Sequence, residues 1–143
     1  MDFVSANAKK KIVINSATFA EASTLKKEAM KCLSKANILH DIDFSKFSSM
    51  DINKLFAAVS ELIINADSST EFEDAIFSCL GRCSCDGISI TRQLFDDQPE
   101  LRADYYEIVI KCCEENLRPF FKSLTTELSN RLQLNSIDVP EQK

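Results

Sequence analysis

Apolar residues recur at helical spacing in five stretches of the chain, and these stretches predict a largely α-helical protein. The first begins at Thr18-Phe19-Ala20-Glu21, where Thr18 and Glu21 have the spacing of a capping box. The helix should run from there to about Ala36 and bury one narrow face. Its apolar positions are Ala22, Leu25, Ala29, Cys32, Leu33 and Ala36.

The second and third predicted helices carry the widest apolar stripes. Asp51 is placed to cap the second helix or to favour its positive end, and Ser68 and Glu71 form a capping box for the third. Gly81 lies at or close to the C-cap of the third helix. The second stripe comprises Ile52, Leu55, Phe56, Val59, Leu62 and Ile63. The third comprises Phe72, Ala75, Ile76, Cys79, Leu80 and Cys83.

Short non-helical features separate these helices. The β-branched run Lys11-Ile12-Val13-Ile14 predicts a short strand or an extended arm within a polar N-terminal segment, residues 1–15. Asp86-Gly87 is typical of a tight turn with positive φ, so a small hairpin is expected there. Residues 91–95 predict a single helical turn, and residues 37–50 an irregular connection pinned to the core by apolar side chains.

Two further helices follow from the C-terminal pattern. A fourth helix should begin near Glu100, and Pro119 should end or kink it near Asn116, because proline cannot donate a backbone hydrogen bond. A last helix from about Arg118 places Phe121, Leu124, Leu128 and Leu132 on one face. We therefore predict a predominantly all-α fold of about five helices in one compact domain, residues 16–134, with a flexible tail at residues 135–143.

The composition supports one helical domain and limits the classes of partner that the chain can bind. The 143 residues are 45% hydrophobic and include only 2 Gly and 3 Pro, too few for a turn-rich β-sandwich. A net charge of -5 argues against nucleic acid as the main partner, and Lys9-Lys10-Lys11 is interpreted as part of a solvated leader. No apolar run approaches the roughly 20 residues that span a bilayer. The N-terminus lacks a signal-peptide core, so a cytosolic protein is expected.

Residue types that form catalytic or metal sites in other proteins are better explained in this chain by packing and solvation. Six cysteines occur without a zinc-ligand spacing, and several fall on apolar stripes, which favours buried reduced thiols. His40 stands in a loop without a sequence neighbour suited to a triad. Acidic pairs such as Asp96-Asp97 and Glu114-Glu115 are interpreted as solvated surface. We predict no catalytic residue, no metal site and no cofactor.

Four aromatic residues are the candidates for binding a partner: Tyr105, Tyr106, Phe120 and Phe121. Successive residues of a helix point about 100° apart, so Tyr105 and Tyr106 diverge, Phe120 and Phe121 diverge in the same way, and the four rings cannot all face one buried seam. Either these rings pack in a core that lacks tryptophan, or some of them line a groove for a helix or strand of another protein. Tyr106 and one of the two phenylalanines are the rings expected outside the core.

An ordered series of short motifs over most of residues 12–124 resembles the tail assembly chaperones of long-tailed bacteriophages, the siphophages. The series begins with Ile14-Asn15-Ser16-Ala17-Thr18-Phe19 and Leu25-Lys26-Lys27. Its later parts are Phe77-Ser78-Cys79-Leu80-Gly81-Arg82-Cys83, Asp86-Gly87, Ile90-Thr91, Leu94-Phe95, Arg102-Ala103-Asp104-Tyr105-Tyr106-Glu107 and Asn116-Leu117-Arg118-Pro119-Phe120-Phe121.

The resemblance implies a small helical chaperone in the cytoplasm of the infected bacterium. Such proteins coat the tape measure protein, keep it soluble, help recruit tail tube subunits and are absent from the mature virion. Self-association into a homo-oligomer is compatible with the resemblance. The chain would correspond to the short form of the two products that a frameshift generates in many phages.

Two other functions stay open at this point. The first is a cytosolic metal- or thiol-dependent protein that uses Cys79, Cys83, Cys85 and Cys112 or Cys113. The second is a helical adaptor with a different partner.

Overall fold

The computed structural model describes the backbone of residues 1–35, 49–65 and 69–141, and the side chains of residues 1–35, 52–65 and 69–123. The helices are α1 (Phe19–Lys35), α2 (Ser49–Ile64), α3 (Thr70–Leu80), α4 (Arg92–Asp97), a 3-10 helix (Pro99–Asp104) and α5 (Tyr105–Glu141). The strands are β1 (Asp2–Val4), β2 (Lys11–Val13), β3 (Ser84–Cys85) and β4 (Ile88–Ser89). The predominantly α-helical fold with minor strands is thus confirmed.

Apart from Ala36, which lies outside the described residues, the residues of the three predicted apolar stripes are buried, and nearly all of them belong to a single core. These three helices pack against α5, and α1 also packs along α3. The side chains of α5 that fill the centre are Ile108, Val109, Cys112, Cys113, Leu117 and Phe121. The core therefore lies between α5 and the three earlier helices, as amphipathic helices require when each buries one face.

The helix boundaries in the structure can be compared with the capping residues predicted from the sequence. Thr18 and Glu21 form the predicted capping box: Thr18 Oγ1 accepts a hydrogen bond from the Glu21 amide at 3.2 Å, and the Thr18 amide donates to Glu21 Oε1 at 3.0 Å. At α3, however, the N-cap is Ser69, whose hydroxyl accepts from the Phe72 amide at 3.1 Å. The predicted capping residue, Ser68, lies outside the described residues. Gly81 is the C-cap of α3, as predicted, and Thr91 caps α4.

The N-terminal segment is a β-hairpin rather than a simple polar arm. β1 pairs with β2, β2 with β3 and β3 with β4, all antiparallel, in the sheet order β1-β2-β3-β4. The predicted strand near Lys11 is thus confirmed as β2, while β1 was not predicted. The predicted turn at Asp86 and Gly87 joins β3 to β4, with φ values of 49° and 85°. Positive φ at both central residues is the geometry of a type I′ turn.

A buried carboxylate at the end of the 3-10 helix, directly before α5, anchors this hairpin. Asp104 is 1% exposed and accepts hydrogen bonds from the Asn7 and Ala8 amides at 2.8 Å and from Asn7 Nδ2 at 2.9 Å. Burial by itself raises the pKa of Asp104, but the hydrogen bonds from Ala8, Asn7 and Ser5 together hold it below its usual value. Residues 5–8, which resemble a solvated leader in sequence, are therefore held against the helical body.

Of the two alternatives predicted near Asn116, the end of a helix was wrong, and a kink stays a prediction. α5 continues as one helix from Tyr105 to Glu141, with Pro119 inside it, and the stretch predicted as a separate last helix is its continuation. Proline in a helix interior costs about 3 kcal/mol, and burial of Leu117 and Phe121 on either side offsets that cost. The start also differs, because Glu100 belongs to the 3-10 helix that precedes α5. The division at residues 15 and 134 stays a prediction.

Candidate functional site

A cavity of about 320 Å³ opens where α3, α4, the 3-10 helix and the start of α5 meet. We call it the aromatic pocket. It is lined by Glu73, Phe77, Arg92, Phe95, Arg102, Tyr105 and Tyr106. Two of the four predicted partner-binding residues therefore lie together in one concave site.

Tyr105 is the centre of the ring cluster in the aromatic pocket. Its ring centroid lies 5.4 Å from that of Phe95, 6.3 Å from that of Phe77 and 5.5 Å from that of Tyr106. The planes of the Phe95 and Tyr106 rings are inclined to it by 78° and 68°, and such edge-to-face contacts are favourable for aromatic pairs. The floor of the pocket is therefore apolar and its rings support one another.

The two tyrosines differ in exposure because they are adjacent on a helix. Tyr105 is half-buried, whereas Tyr106 is 46% exposed. Burial and, to a smaller extent, the charge of Glu73 raise the pKa of the Tyr105 hydroxyl above its usual value. Tyr105 thus supports the pocket floor, and Tyr106 offers a ring face and a hydroxyl to solvent.

Two arginines lie at the rim of the aromatic pocket. Arg92 Cζ lies 4.4 Å from the centroid of the Phe77 ring, and its Nη2 donates to Asp74 Oδ1 at 2.7 Å and lies 3.7 Å from Glu73 Oε1. Arg102 Nε donates to the Phe95 carbonyl oxygen at 3.0 Å, and its Nη2 to Asp96 Oδ1 at 3.2 Å. Phe77, Phe95 and Arg102 belong to the motifs that resemble the family, but neither they nor Arg92 were predicted to bind a partner, since nothing local to them shows that they converge.

The other two aromatic candidates lie further along α5 and differ sharply from each other. Phe120 lines a second hollow of about 330 Å³ between the start of α1 and α5. There its ring lies 6.0 Å from that of Phe19, a residue that is 78% exposed. Phe121 is 2% exposed and packs at 5.1 Å on the ring of Phe56. Phe121 is therefore a core residue in this fold, and Phe120 is the accessible ring of that pair.

A comparison with protein families identifies the chain. The family model described as phage tail assembly chaperone protein, TAC, matches residues 10–129, most of the sequence. The chain belongs to the phage tail assembly chaperone family. The resemblance inferred from the ordered motifs is thereby confirmed. Neither the curated proteins nor the solved structures include a significant match.

Membership assigns this chaperone a role in phage tail assembly, and it implies protein partners in that process. The matched span includes every residue that lines the aromatic pocket and the second hollow. The helices of the described part include none that is both long and apolar enough to cross a membrane.

The six cysteines of the chaperone are all buried as free thiols. Burial raises the pKa of Cys79 to about 12 and also raises the pKa values of Cys85 and Cys113. A hydrogen bond between Cys83 and Cys112 lowers the pKa of Cys83 and raises that of Cys112.

Among the residues that the structure describes, no three His, Cys, Asp or Glu side chains are grouped so that they could hold a metal ion. His40, the single histidine, lies outside those residues. The acidic pairs lie at the surface, where Asp96 pairs with Arg102 and Glu114 with Arg118.

Proposed function

We propose that this chain binds the tape measure protein of its phage, keeps it soluble and helps recruit tail tube subunits during tail morphogenesis. In this proposal the chaperone acts in the cytoplasm of the infected bacterium and is absent from the finished virion. It acts by binding other proteins rather than by catalysis. The family match together with an open pocket floored by aromatic rings supports it.

The physical basis of the proposal is the need to cover apolar helix surface before assembly. A long amphipathic helix exposes an apolar stripe, and such stripes associate with one another when they stay uncovered. A concave aromatic site can bind one face of such a helix, in the way that other helix-in-groove complexes do. Tyr106 in the aromatic pocket and Phe120 in the second hollow are the predicted contact residues, and Tyr105 positions Tyr106.

Co-expression with the tape measure protein tests this function. The wild-type chain should raise the soluble fraction of the tape measure protein and co-purify with it. Tyr106→Ala should lower both quantities, because an aromatic anchor near the centre of an interface typically contributes 2 kcal/mol or more. The measurement is the tape measure protein recovered in the soluble and co-purified fractions.

Ile88→Ala is the matched control, since Ile88 is 53% exposed but lines neither cavity. This variant should behave as the wild type does. An unchanged soluble fraction with wild-type chaperone and no co-purification would reject the function. Equal losses with Tyr106→Ala and Ile88→Ala would reject the aromatic pocket as the contact surface.

Recruitment of tail tube subunits and self-association are further parts of the proposal. Tube protein should be retained on immobilised chaperone only when the tape measure protein is also present, if the chaperone acts as the bridge. Sedimentation of the purified chain measures whether it forms a homo-oligomer. Phe121→Ala is unsuitable for these tests, because removal of a buried phenylalanine costs about 3–5 kcal/mol of folding stability.

A further inference from the structure

We propose that the four-stranded sheet continues from one copy of the chain into the next, with β1 of a second copy pairing antiparallel with β4. This inference rests on the self-association included in the proposed function, and it names the surface through which that association occurs. It follows from the directions of the strands, the backbone groups of the two outer strands and the apolar side chains that those strands leave uncovered.

The two outer strands of the sheet have the right directions to pair with each other across copies. The strand order is β1-β2-β3-β4, so within the described residues β1 and β4 each have a neighbouring strand on one side only. All three pairs are antiparallel, so β4 runs opposite to β1. A β1 strand of a second copy beside β4 therefore extends the antiparallel pattern without a change in orientation.

The outer edge of β1 presents backbone groups of Asp2 and Val4. Met1 and Ile14 exchange two backbone hydrogen bonds, at 3.2 and 2.7 Å. Hydrogen-bonded and non-hydrogen-bonded pairs alternate along an antiparallel ladder, so Asp2 and Val4 form non-hydrogen-bonded pairs with β2. Their N–H and C=O groups thus point away from β2, and Val4 is 62% exposed.

The outer edge of β4 presents matching groups at Ser89. The Ile90 amide donates to the Cys83 carbonyl oxygen at 3.1 Å, so by the same alternation Ser89 forms a non-hydrogen-bonded pair with β3. The N–H and C=O groups of Ser89 therefore point away from β3. Asp2 of a second copy can exchange two backbone hydrogen bonds with Ser89.

This register joins apolar side chains that a single copy leaves uncovered. Directly paired residues of a sheet place their side chains on the same face. One row of paired residues consists of Phe3, Ile12, Cys85 and Ile88. The two inner members are at most 1% exposed, whereas Ile88 is 53% exposed and Phe3 is half-buried. In the register set by Ser89, Phe3 of the second copy lies opposite Ile88 and covers it.

The charges at the two edges are complementary as well. Lys9 is exposed in the loop between β1 and β2. The Asp86 side chain is 51% exposed in the turn between β3 and β4, with Lys10 Nζ at 3.9 Å. In the proposed pairing the loop of the second copy lies beside the turn of the first, so Lys9 approaches Asp86. Pairing of β1 with β1, or of β4 with β4, would leave the other edge of both copies uncovered.

The proposed contact joins two different edges, so it repeats from copy to copy and produces either a ring or an open chain of copies. The outer strands are short and offer few bonds, so the association should depend on concentration and the edges should be free in dilute solution. The residues of these edges line neither the aromatic pocket nor the second hollow. Both cavities of each copy thus stay open to another partner.

Val4→Pro tests the pairing through the backbone. Proline removes the outward N–H of Val4 and fills its place with ring carbons, a change that an edge strand tolerates where this N–H faces solvent. Association measured by sedimentation over a concentration series should weaken about tenfold, the effect of one hydrogen bond. Val4→Thr is the matched control, because it keeps the N–H and the β-branched shape, and it should associate as the wild type does.

Cysteine cross-linking tests the register independently of that variant. A non-hydrogen-bonded pair brings its Cα atoms to about 4.5 Å, within the range that a disulfide spans. Phe3→Cys mixed with Ile88→Cys should therefore give a covalent dimer in oxidised glutathione, and the double variant should give a ladder of larger species on a non-reducing gel. Wild type treated in the same way should stay uncross-linked, because its six cysteines are buried. Circular dichroism checks that each variant is folded.

Several results would overturn the inference. A chain that stays monomeric at every concentration would do so, as would an equal loss of association in Val4→Thr and Val4→Pro. Cross-linking of Ile88→Cys with itself, or of Phe3→Cys with itself, would assign the edges to a two-fold contact instead. Loss of the mixed cross-link on addition of the tape measure protein would assign the edges to that partner. Co-purification of the tape measure protein tests the proposed function separately, because the predicted contact residues for that protein lie outside these edges.

Discussion

Asp104 shows what a single buried carboxylate can decide. Charged residues near it in sequence suggest an exposed position, yet its side chain is only 1% exposed. It accepts hydrogen bonds from the amides of a loop about 97 residues away in sequence. Asn116 has a similar part near the other end of the core. Its Oδ1 accepts from the Ala17 amide at 2.8 Å, and its Nδ2 donates to the Cys112 carbonyl oxygen at 2.9 Å. Asp104, at the end of the 3-10 helix, and Asn116, in α5, thus hold the segments on either side of β2.

Asp104→Asn is expected to destabilise the protein by about 1–3 kcal/mol, because the amide nitrogen of asparagine cannot accept the loop hydrogen bonds and leaves buried donors unpaired. Urea unfolding followed by circular dichroism measures the change. Asp97→Asn is the control, since Asp97 is exposed and, among the described residues, accepts a side-chain hydrogen bond from Gln93 within α4. Equal stability of the two variants would show that the anchor does not hold the hairpin.

The same carboxylate predicts a dependence on pH. A pKa that is lower in the folded state than in the unfolded state adds stability above the unfolded value, about 3.9 for Asp. That contribution is lost as pH falls through the folded pKa. The stability difference between wild type and Asp104→Asn should therefore be full at pH 7 and shrink below about pH 4. A difference that grows on acidification would contradict this assignment.

The two glycines lie in different kinds of element, a turn and a helix end, and only the one in the turn has a positive φ. Gly87 has φ +85° in the turn between β3 and β4, a conformation that residues with a side chain rarely adopt. Gly81 ends α3 with φ -60°, an ordinary helical value. A Cβ at Gly81 would lie 3.6 Å from the carbonyl oxygens of Phe77 and Ser78, an ordinary contact.

Gly87→Ala should therefore destabilise the protein by about 1–2 kcal/mol, the cost of a left-handed conformation. Gly81→Ala should be neutral or stabilise it by up to about 1 kcal/mol, because alanine restricts the unfolded chain. Thermal unfolding of the two variants side by side checks the contrast. A larger loss from Gly81→Ala than from Gly87→Ala would refute the element-based explanation.

Pro119 lies within α5 although it cannot donate a hydrogen bond to the carbonyl of Glu115. Pro119→Ala should restore that bond and raise the stability by about 1–3 kcal/mol, toward the upper limit that helix propensities set. The free energy of unfolding in urea is the measurement, and Pro99→Ala is the comparison. Pro99 occupies the first position of the 3-10 helix, where proline is well tolerated, so its replacement should not stabilise. A loss of stability in Pro119→Ala would mean that proline shapes the helix locally.

At the scale of the whole molecule, burial controls the chemistry of the thiols. Cys79, Cys83, Cys112 and Cys113 are each at most 1% exposed, although the hydrogen bond to Cys112 lowers the pKa of Cys83. A low pKa favours reaction only where a reagent can reach the sulfur. The native chain should thus react slowly with a chromogenic disulfide reagent and yield six thiols once unfolded.

Ile88→Cys provides the internal standard for accessibility. It adds a thiol at a position that is 53% exposed, and this seventh thiol should react at once in the native state. Absorbance at successive times counts the thiols released. Rapid reaction of two or more thiols in the wild type would show that the core opens readily.

Much of the fold was predictable because its signals are local. The stripes of α1, α2 and α3, the Thr18 capping box and the Asp86-Gly87 turn each depend on residues a few positions apart. Of the end or kink predicted near Asn116, the end was wrong, because that prediction also relied on a local signal. The sequence near Pro119 shows that a backbone hydrogen bond is lost there. It does not show that Leu117 and Phe121 are buried against other helices, because that depends on residues distant in sequence.

The candidate site was predictable only in part. The helical phasing of Tyr105 and Tyr106 indicated that their rings must diverge, and Tyr106 is indeed the more exposed. The sequence alone determined the helical class, the turn chemistry, the chaperone family and this divergence, since periodicity and ordered motifs are properties of the chain. The tertiary structure decided that Phe121 is core, that Asp104 holds the N-terminal hairpin, and that Phe77, Phe95, Arg92 and Arg102 join the tyrosines in one pocket. Those outcomes depend on contacts between residues distant in sequence, which form only when the helices pack.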